Sequence, residues 1–109
     1  MSLVVQEVAF EMIVAVKPLV DTIAKQDRSL ADQIRRAASS VVLNIAEGVH
    51  SQGRIAITRF HSAAGSASET RVGLRLAEAW GYLRPGQLSQ VDARLDRILA
   101  LLWGLTRRR

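Results

Sequence analysis

Apolar residues recur at steps of three and four along four separate stretches of the 109-residue chain, the spacing that lays them on one face of an α-helix. The first stretch predicts a helix from Leu3 to Ala24. Its core face carries Val5, Val8, Met12, Ala15, Leu19 and Ile23, and Pro18 either kinks it or opens its second part. In the second, Leu30, Ile34, Ala37, Val41 and Ile45 form the stripe; Ser29 and Asp32 have capping-box spacing at its start, and Gly48 suits a left-handed cap at its end. The third carries Ile57, Phe60, Ala64, Ala67, Leu74 and Ala77 as far as Trp80, with Gly81 ending it. Pro85 is placed to open the fourth, where Leu88, Val91, Leu95, Ile98, Leu102 and Leu105 alternate by three and four. Short connections near Gln26 to Arg28, Val49 to Gly53 and Gly81 to Arg84 make neighbouring helices antiparallel. The expected fold is an all-α, up-down-up-down four-helix bundle, one domain over residues 1–109.

More apolar surface is present than one such bundle covers. Val4, Phe10, Ile13, Val14 and Val16 fall outside the first stripe, and Leu99, Leu101 and Trp103 outside the fourth, so some of them are expected to meet another subunit. The third helix is small-sided from Ala63 to Ser68, and Gly65 and Gly73 each cost about 1 kcal/mol of helix stability relative to alanine. Close approach of another backbone is the expected return.

Two polar stripes accompany the apolar ones. Gln33, Arg36, Ser40, Asn44 and Glu47 line one face of the second helix, and Arg59, Ser62, Ser66, Glu69 and Gly73 one face of the third. Antiparallel pairing places Glu47 near Arg59, Asn44 near Ser62, Ser40 near Ser66 and Arg36 near Glu69. Because buried charge is costly unless paired, this register predicts an inward polar seam that fixes the arrangement of the two helices.

Fifteen Lys plus Arg oppose ten Asp plus Glu, for a net charge of +5 and a pI near 11.0, a balance that favours polyanionic partners. Lys17 and Lys25 are the lysines and the rest are arginines, whose planar fork suits phosphate. The candidate nucleic-acid contacts are Arg28, Arg35, Arg54, Arg71, Arg75, Arg84, Arg94 and Arg97, with the tail Arg107, Arg108 and Arg109. Asp92 and Asp96 dilute the patch at Arg94 and Arg97, and Glu78 that at Arg71 and Arg75. Phe10, Phe60, Trp80, Tyr82 and Trp103 fit core or interface positions better than a base-stacking platform, so binding would be led by phosphate and shape.

Catalytic chemistry finds little support. Glu47 and His50 have the Glu-x-x-His spacing of paired-metal bundles, but no second copy exists and Gly48 is expected to break the helix between them. Ser51, His50 or His61, and Glu47 could form a hydrolytic set, yet no spacing fixes their geometry, and no Gly-Lys-Ser/Thr phosphate loop is present. The chain is therefore expected to be non-catalytic and without cofactor or metal. The absence of cysteine and of any apolar run long enough to span a bilayer agrees with a cytoplasmic protein. The competing class is a protein-protein assembly scaffold whose positive charge serves solubility.

The segment QIRRAASSVVLNIAEG, then Arg59 and Phe60, then AGSASE from Ala64 to Glu69, resembles the four-helix-bundle family encoded within intervening sequences of bacterial large-subunit ribosomal RNA genes. That family includes the accessory variability determinant of diversity-generating retroelements. The match covers roughly Leu30 to Leu83, and Gln33, Arg36, Ser40, Asn44, Glu47, Gly48, Arg59, Phe60, Gly65, Ser66 and Glu69 fall on its pattern. The resemblance implies a homopentameric ring of bundles and, for the retroelement branch, a basic surface that engages reverse transcriptase and RNA or DNA. Two positions depart from it: Ser51 stands where the family usually has arginine and Thr70 where it usually has leucine.

Overall fold

The computed structural model describes residues 2–107, and these form four α-helices: α1 (Ser2–Ala24), α2 (Arg28–Val49), α3 (Gly53–Ala79) and α4 (Ser89–Thr106). Helices consecutive in the chain pack together and α4 closes onto α1, giving an up-down-up-down bundle of 44 × 23 × 18 Å. No strand occurs among the described residues. The core follows the expected stripes: Val5, Val8, Met12, Leu19 and Ile23 from α1 meet Ile34, Val41 and Ile45, Phe60 and Leu74, and Leu95, Ile98 and Leu102 from the other three. Val16, expected outside the stripe, is buried, as are Ala9 and Val20, and Val16 and Val20 lie beside Arg35, Ala38 and Ser39 of α2. Pro18 neither divides α1 nor opens a second helix, since the chain stays helical through it. The carbonyl its ring leaves unpaired belongs to Val14, whose side chain lies on the exposed face of α1.

Helix boundaries differ from the sequence expectation where a stronger local partner exists. Asp27, not Ser29, caps α2: its extended backbone lets Oδ1 accept the Leu30 N–H at 3.0 Å. The other carboxylate oxygen accepts the Tyr82 hydroxyl at 3.2 Å, so one side chain ties the start of α2 to the connection after α3. Partial burial first, then the bonded Asp27 carboxylate, pushes the Tyr82 phenol above its ordinary value. The bond therefore stabilises the fold throughout the neutral range and is lost as pH rises through that raised value, above about 10. Pro85 does not open α4. It lies in a turn with Gly86, whose φ of 89° no right-handed helix can continue, and the helix starts at Ser89 while buried Leu83 and Leu88 anchor the connection.

Gly48 is the clearest departure. It is not a left-handed cap; α2 runs through it to Val49, and among the described residues positive φ occurs at Gly53, Gly81 and Gly86. Its smallness is needed for packing instead, since a Cβ there would lie 2.5 Å from the Phe60 ring. Gly73 does the same on α3, where a Cβ would come within 2.7 Å of Ile34 Cγ1. Gly65 is exposed, with nothing within 4 Å of its added Cβ. Close approach accounts for two glycines and leaves the third facing open space.

These environments separate the glycines experimentally. Gly48→Ala is expected to lose roughly 1–3 kcal/mol through overpacking against Phe60 despite alanine's better helix propensity. Gly65→Ala is expected to gain up to about 1 kcal/mol. Urea denaturation of both variants checks the contrast.

Candidate nucleic-acid interface

The expected polar seam exists as a line of residues but not as a buried one. Gln33, Arg36, Glu47, Arg59, Ser62 and Glu69 are exposed, and Ser40, Asn44, Ser66 and Gly73 half-buried. The reason lies in the packing: Gly48 and Gly73 bring α2 and α3 so close that Phe60, Ala63, Ala67 and Ile34 fill the space between them, and the polar stripes are left along the outer edge. Two of the four expected pairs form. Ser40 Oγ and Ser66 Oγ are 2.8 Å apart, and Arg59 Nε lies 3.0 Å from Glu47 Oε1. Asn44 does not reach Ser62; its amide donates to the carbonyl and hydroxyl of Ser40, one turn back, at 3.0 Å each. Arg36 and Glu69 make no ion pair among the described residues, because both are solvated and burial never forces them together. What results is an open groove of about 540 Å³ lined by Arg35, Arg36 and Arg59 with Ser39, Ser40, Asn44, Leu43 and Glu47.

The two departures from the family pattern are accommodated locally. Thr70 is fully buried, and its hydroxyl donates to the Ser66 carbonyl at 2.8 Å, so a polar side chain in the core has its partner. Ser51 donates to the Glu47 carbonyl at 2.7 Å, satisfying an acceptor at the end of α2.

The candidate arginines divide into engaged and open groups. Arg71 is built into the fold: Nη2 donates to Asp96 Oδ1 at 2.7 Å and to the Asp92 carbonyl at 3.3 Å, Nε lies 3.6 Å from Asp92 Oδ1, and the side chain is only 28% exposed. Arg94 Nε sits 3.1 Å from Glu11 Oε1, bracing α4 against α1. Arg35 pairs with Asp32 at 3.2 Å on the surface, and Arg107 stacks 4.2 Å over the Trp103 ring. Arg28, Arg54, Arg75, Arg84 and Arg97 are exposed and make no ion pair among the described residues. Arg108 and Arg109 lie outside the described residues. Asp92 and Asp96, near Arg94 in the sequence, bind Arg71 on the neighbouring helix instead, Arg94 takes Glu11, and Glu78 makes no ion pair among the described residues. Arg36, read from sequence as half of a structural pair, stands instead as an open cation.

Ion pairs take up Glu11, Asp21, Asp32, Glu47, Asp92 and Asp96, leaving Glu7, Asp27, Glu69 and Glu78 to balance the remaining cations. The positive surplus therefore sits on exposed side chains. No group of three or more His, Cys, Asp or Glu gathers among the described residues. The α-helix continues past Gly48, so His50 follows the end of α2 and the Ser51 hydroxyl is occupied by a backbone carbonyl. No described helix is long and apolar enough to cross a membrane.

The fold and the groove define a four-helix bundle with a basic, solvated surface. The chain belongs to the 23S rRNA-intervening sequence protein family, whose model matches residues 1–104. In three dimensions it is similar to the crystal structure of a protein of unknown function from the S23 ribosomal protein family of Bacteroides thetaiotaomicron. That likeness has a TM-score of 0.85 at 23% identity over 95% of this chain and 99% of the other, and it establishes the shared fold. No curated protein matches the chain significantly.

The division of the arginines predicts distinct outcomes. Arg71→Ala is expected to cost roughly 1–2 kcal/mol of stability, by stranding Asp92 and Asp96, while leaving polyanion binding unchanged. Paired denaturation and binding curves check it. For Glu47 and Arg59, exchanging the charges singly and together in a double-mutant cycle is expected to give a coupling below about 1 kcal/mol, the range for an exposed pair.

Proposed function

We propose that this protein is a non-catalytic, oligomeric helical bundle that binds structured nucleic acid, or a nucleic-acid-processing partner, through its open arginines. The observation that carries the reading is the charge partition: six of the ten carboxylates are taken up by ion pairs within the chain, while Arg28, Arg36, Arg54, Arg75, Arg84 and Arg97 are exposed with no ion pair among the described residues. Membership in a family named for a ribosomal RNA intervening sequence supports the choice of nucleic acid among polyanions. The resemblance to the retroelement accessory determinant suggests a reverse transcriptase as the kind of partner. The setting is the cytoplasm, and no cofactor takes part.

Assembly into a ring, with five copies as the resemblance suggests, is part of this proposal. Phe10 and Val14 on α1, Leu43 on α2, Val72 and Leu76 on α3, and Trp103 on α4 are exposed large apolar side chains, and Phe10 and Leu43 line one shallow depression. Exposed apolar side chains on all four helices suit head-to-tail contact, which gives a ring when the rotation closes. A ring also brings several copies of the basic surface to one polyanion. The same apolar faces favour the scaffold as the second reading, in which protein contact is the function and the charge is incidental.

Anisotropy titrations with a structured RNA, a matched DNA duplex and heparin, from low to physiological salt, separate the two. Binding that persists at physiological salt with a preference for one nucleic acid is the expected result. Equal binding to all three that vanishes with salt would favour the scaffold. Native mass spectrometry is expected to show a discrete oligomer, and a monomer at micromolar concentration would end the ring.

A further inference from the structure

We propose that the groove along the exposed face of α2, bounded at one end by Arg59 of α3, is a seat for a phosphodiester backbone, with Arg36 and Arg59 as its phosphate contacts. The inference rests on the nucleic-acid reading above and assigns it to side chains that the sequence pattern marks only as structural. Of the charged groups lining the groove, Arg35, Arg36 and Arg59 are cationic and Glu47 alone is anionic. Glu47 is engaged through Oε1 by Arg59 Nε at 3.0 Å, which leaves the two terminal amino groups of Arg59 without a partner among the described residues. Arg35 gives Nη1 to Asp32, and Arg36 has no ion pair among the described residues. A concave site with such an excess of one sign focuses its potential on an incoming counter-charge.

The geometry selects the class of ligand. Arg59 lies opposite Glu47, about 16 Å along α2 from Arg36 at 1.5 Å per residue. A ligand that engages both must repeat its negative charge over that length, as a polynucleotide backbone does and a single small anion does not. Each guanidinium presents parallel N–H groups that fit a phosphate's two free oxygens. Between them the exposed Ser39 hydroxyl adds a neutral hydrogen-bonding group, while Ser40 and Asn44 are held in place by their bonds to each other and to Ser66. Contacts of this kind read the backbone and not the bases, so the groove would bind without sequence preference.

The test uses the assembled full-length protein and a fluorescein-labelled uridine oligoribonucleotide, with affinity measured across a salt series. Arg36→Ala is expected to weaken binding roughly tenfold and to lower the slope of log affinity against log salt by about 0.7, the share of one phosphate contact on a single strand. Arg36→Lys is expected to restore the slope and part of the affinity, since it returns the charge but not the fork. Unchanged affinity and slope in Arg36→Ala, with losses in Arg54→Ala and Arg97→Ala, would overturn the groove while leaving the nucleic-acid reading intact. Dissociation of the oligomer by Arg36→Ala with an unchanged slope would overturn it too, by making the groove a contact between copies. Failure of the unsubstituted protein to bind the strand while it binds the structured RNA would overturn the groove alone, and failure to bind either would remove the nucleic-acid reading and the groove with it.

Discussion

The close approach of α2 and α3 is the constraint from which the rest of this bundle follows. It depends on hydrogen as the side chain at Gly48 and Gly73, where Phe60 and Ile34 occupy the space that a methyl group would need. With the helices that near, the small side chains Ala63 and Ala67 suffice to fill the gap, and the polar stripes fall outside it. The Ser40 to Ser66 and Glu47 to Arg59 contacts then report the antiparallel register without carrying its energy, which comes from apolar packing.

Electrostatics divides into two layers for the same reason. Cross-helix pairs that lie near the packed surface, Arg71 with Asp92 and Asp96, and Arg94 with Glu11, brace α4 against its neighbours. Their carboxylates are withdrawn from the surface balance, so the net charge is expressed by arginines with no structural work. Apolar side chains left uncovered on α1, α2 and α3 add a second kind of surface.

Where local sequence signals failed, a competing interaction explains the failure. Ser29 and Asp32 had capping-box spacing, but Asp27 stands three residues before Leu30, and its carboxylate takes the free Leu30 N–H while also holding Tyr82. Pro85 has the right chemistry for a first helical turn, yet the positive φ of Gly86 beside it makes a turn, and α4 waits until Ser89. Gly48 looked like a helix end because glycine commonly is one; its neighbour in space, Phe60, lies twelve positions along the chain and is invisible to a local pattern.

By itself the sequence determined the four helices, their antiparallel order and most of the core, because apolar periodicity is a local property that each helix carries independently. It also determined the family, through the run from Gln33 to Gly48 and the segment ending at Glu69. Only the tertiary structure decided how deep the polar residues lie and which arginines are free. Spacing places Arg36 and Glu69 in register, but whether they must pair depends on burial, and burial depends on how closely two backbones approach. The same holds for Arg71, whose partners come from a different helix and became fixed only when α3 and α4 packed together.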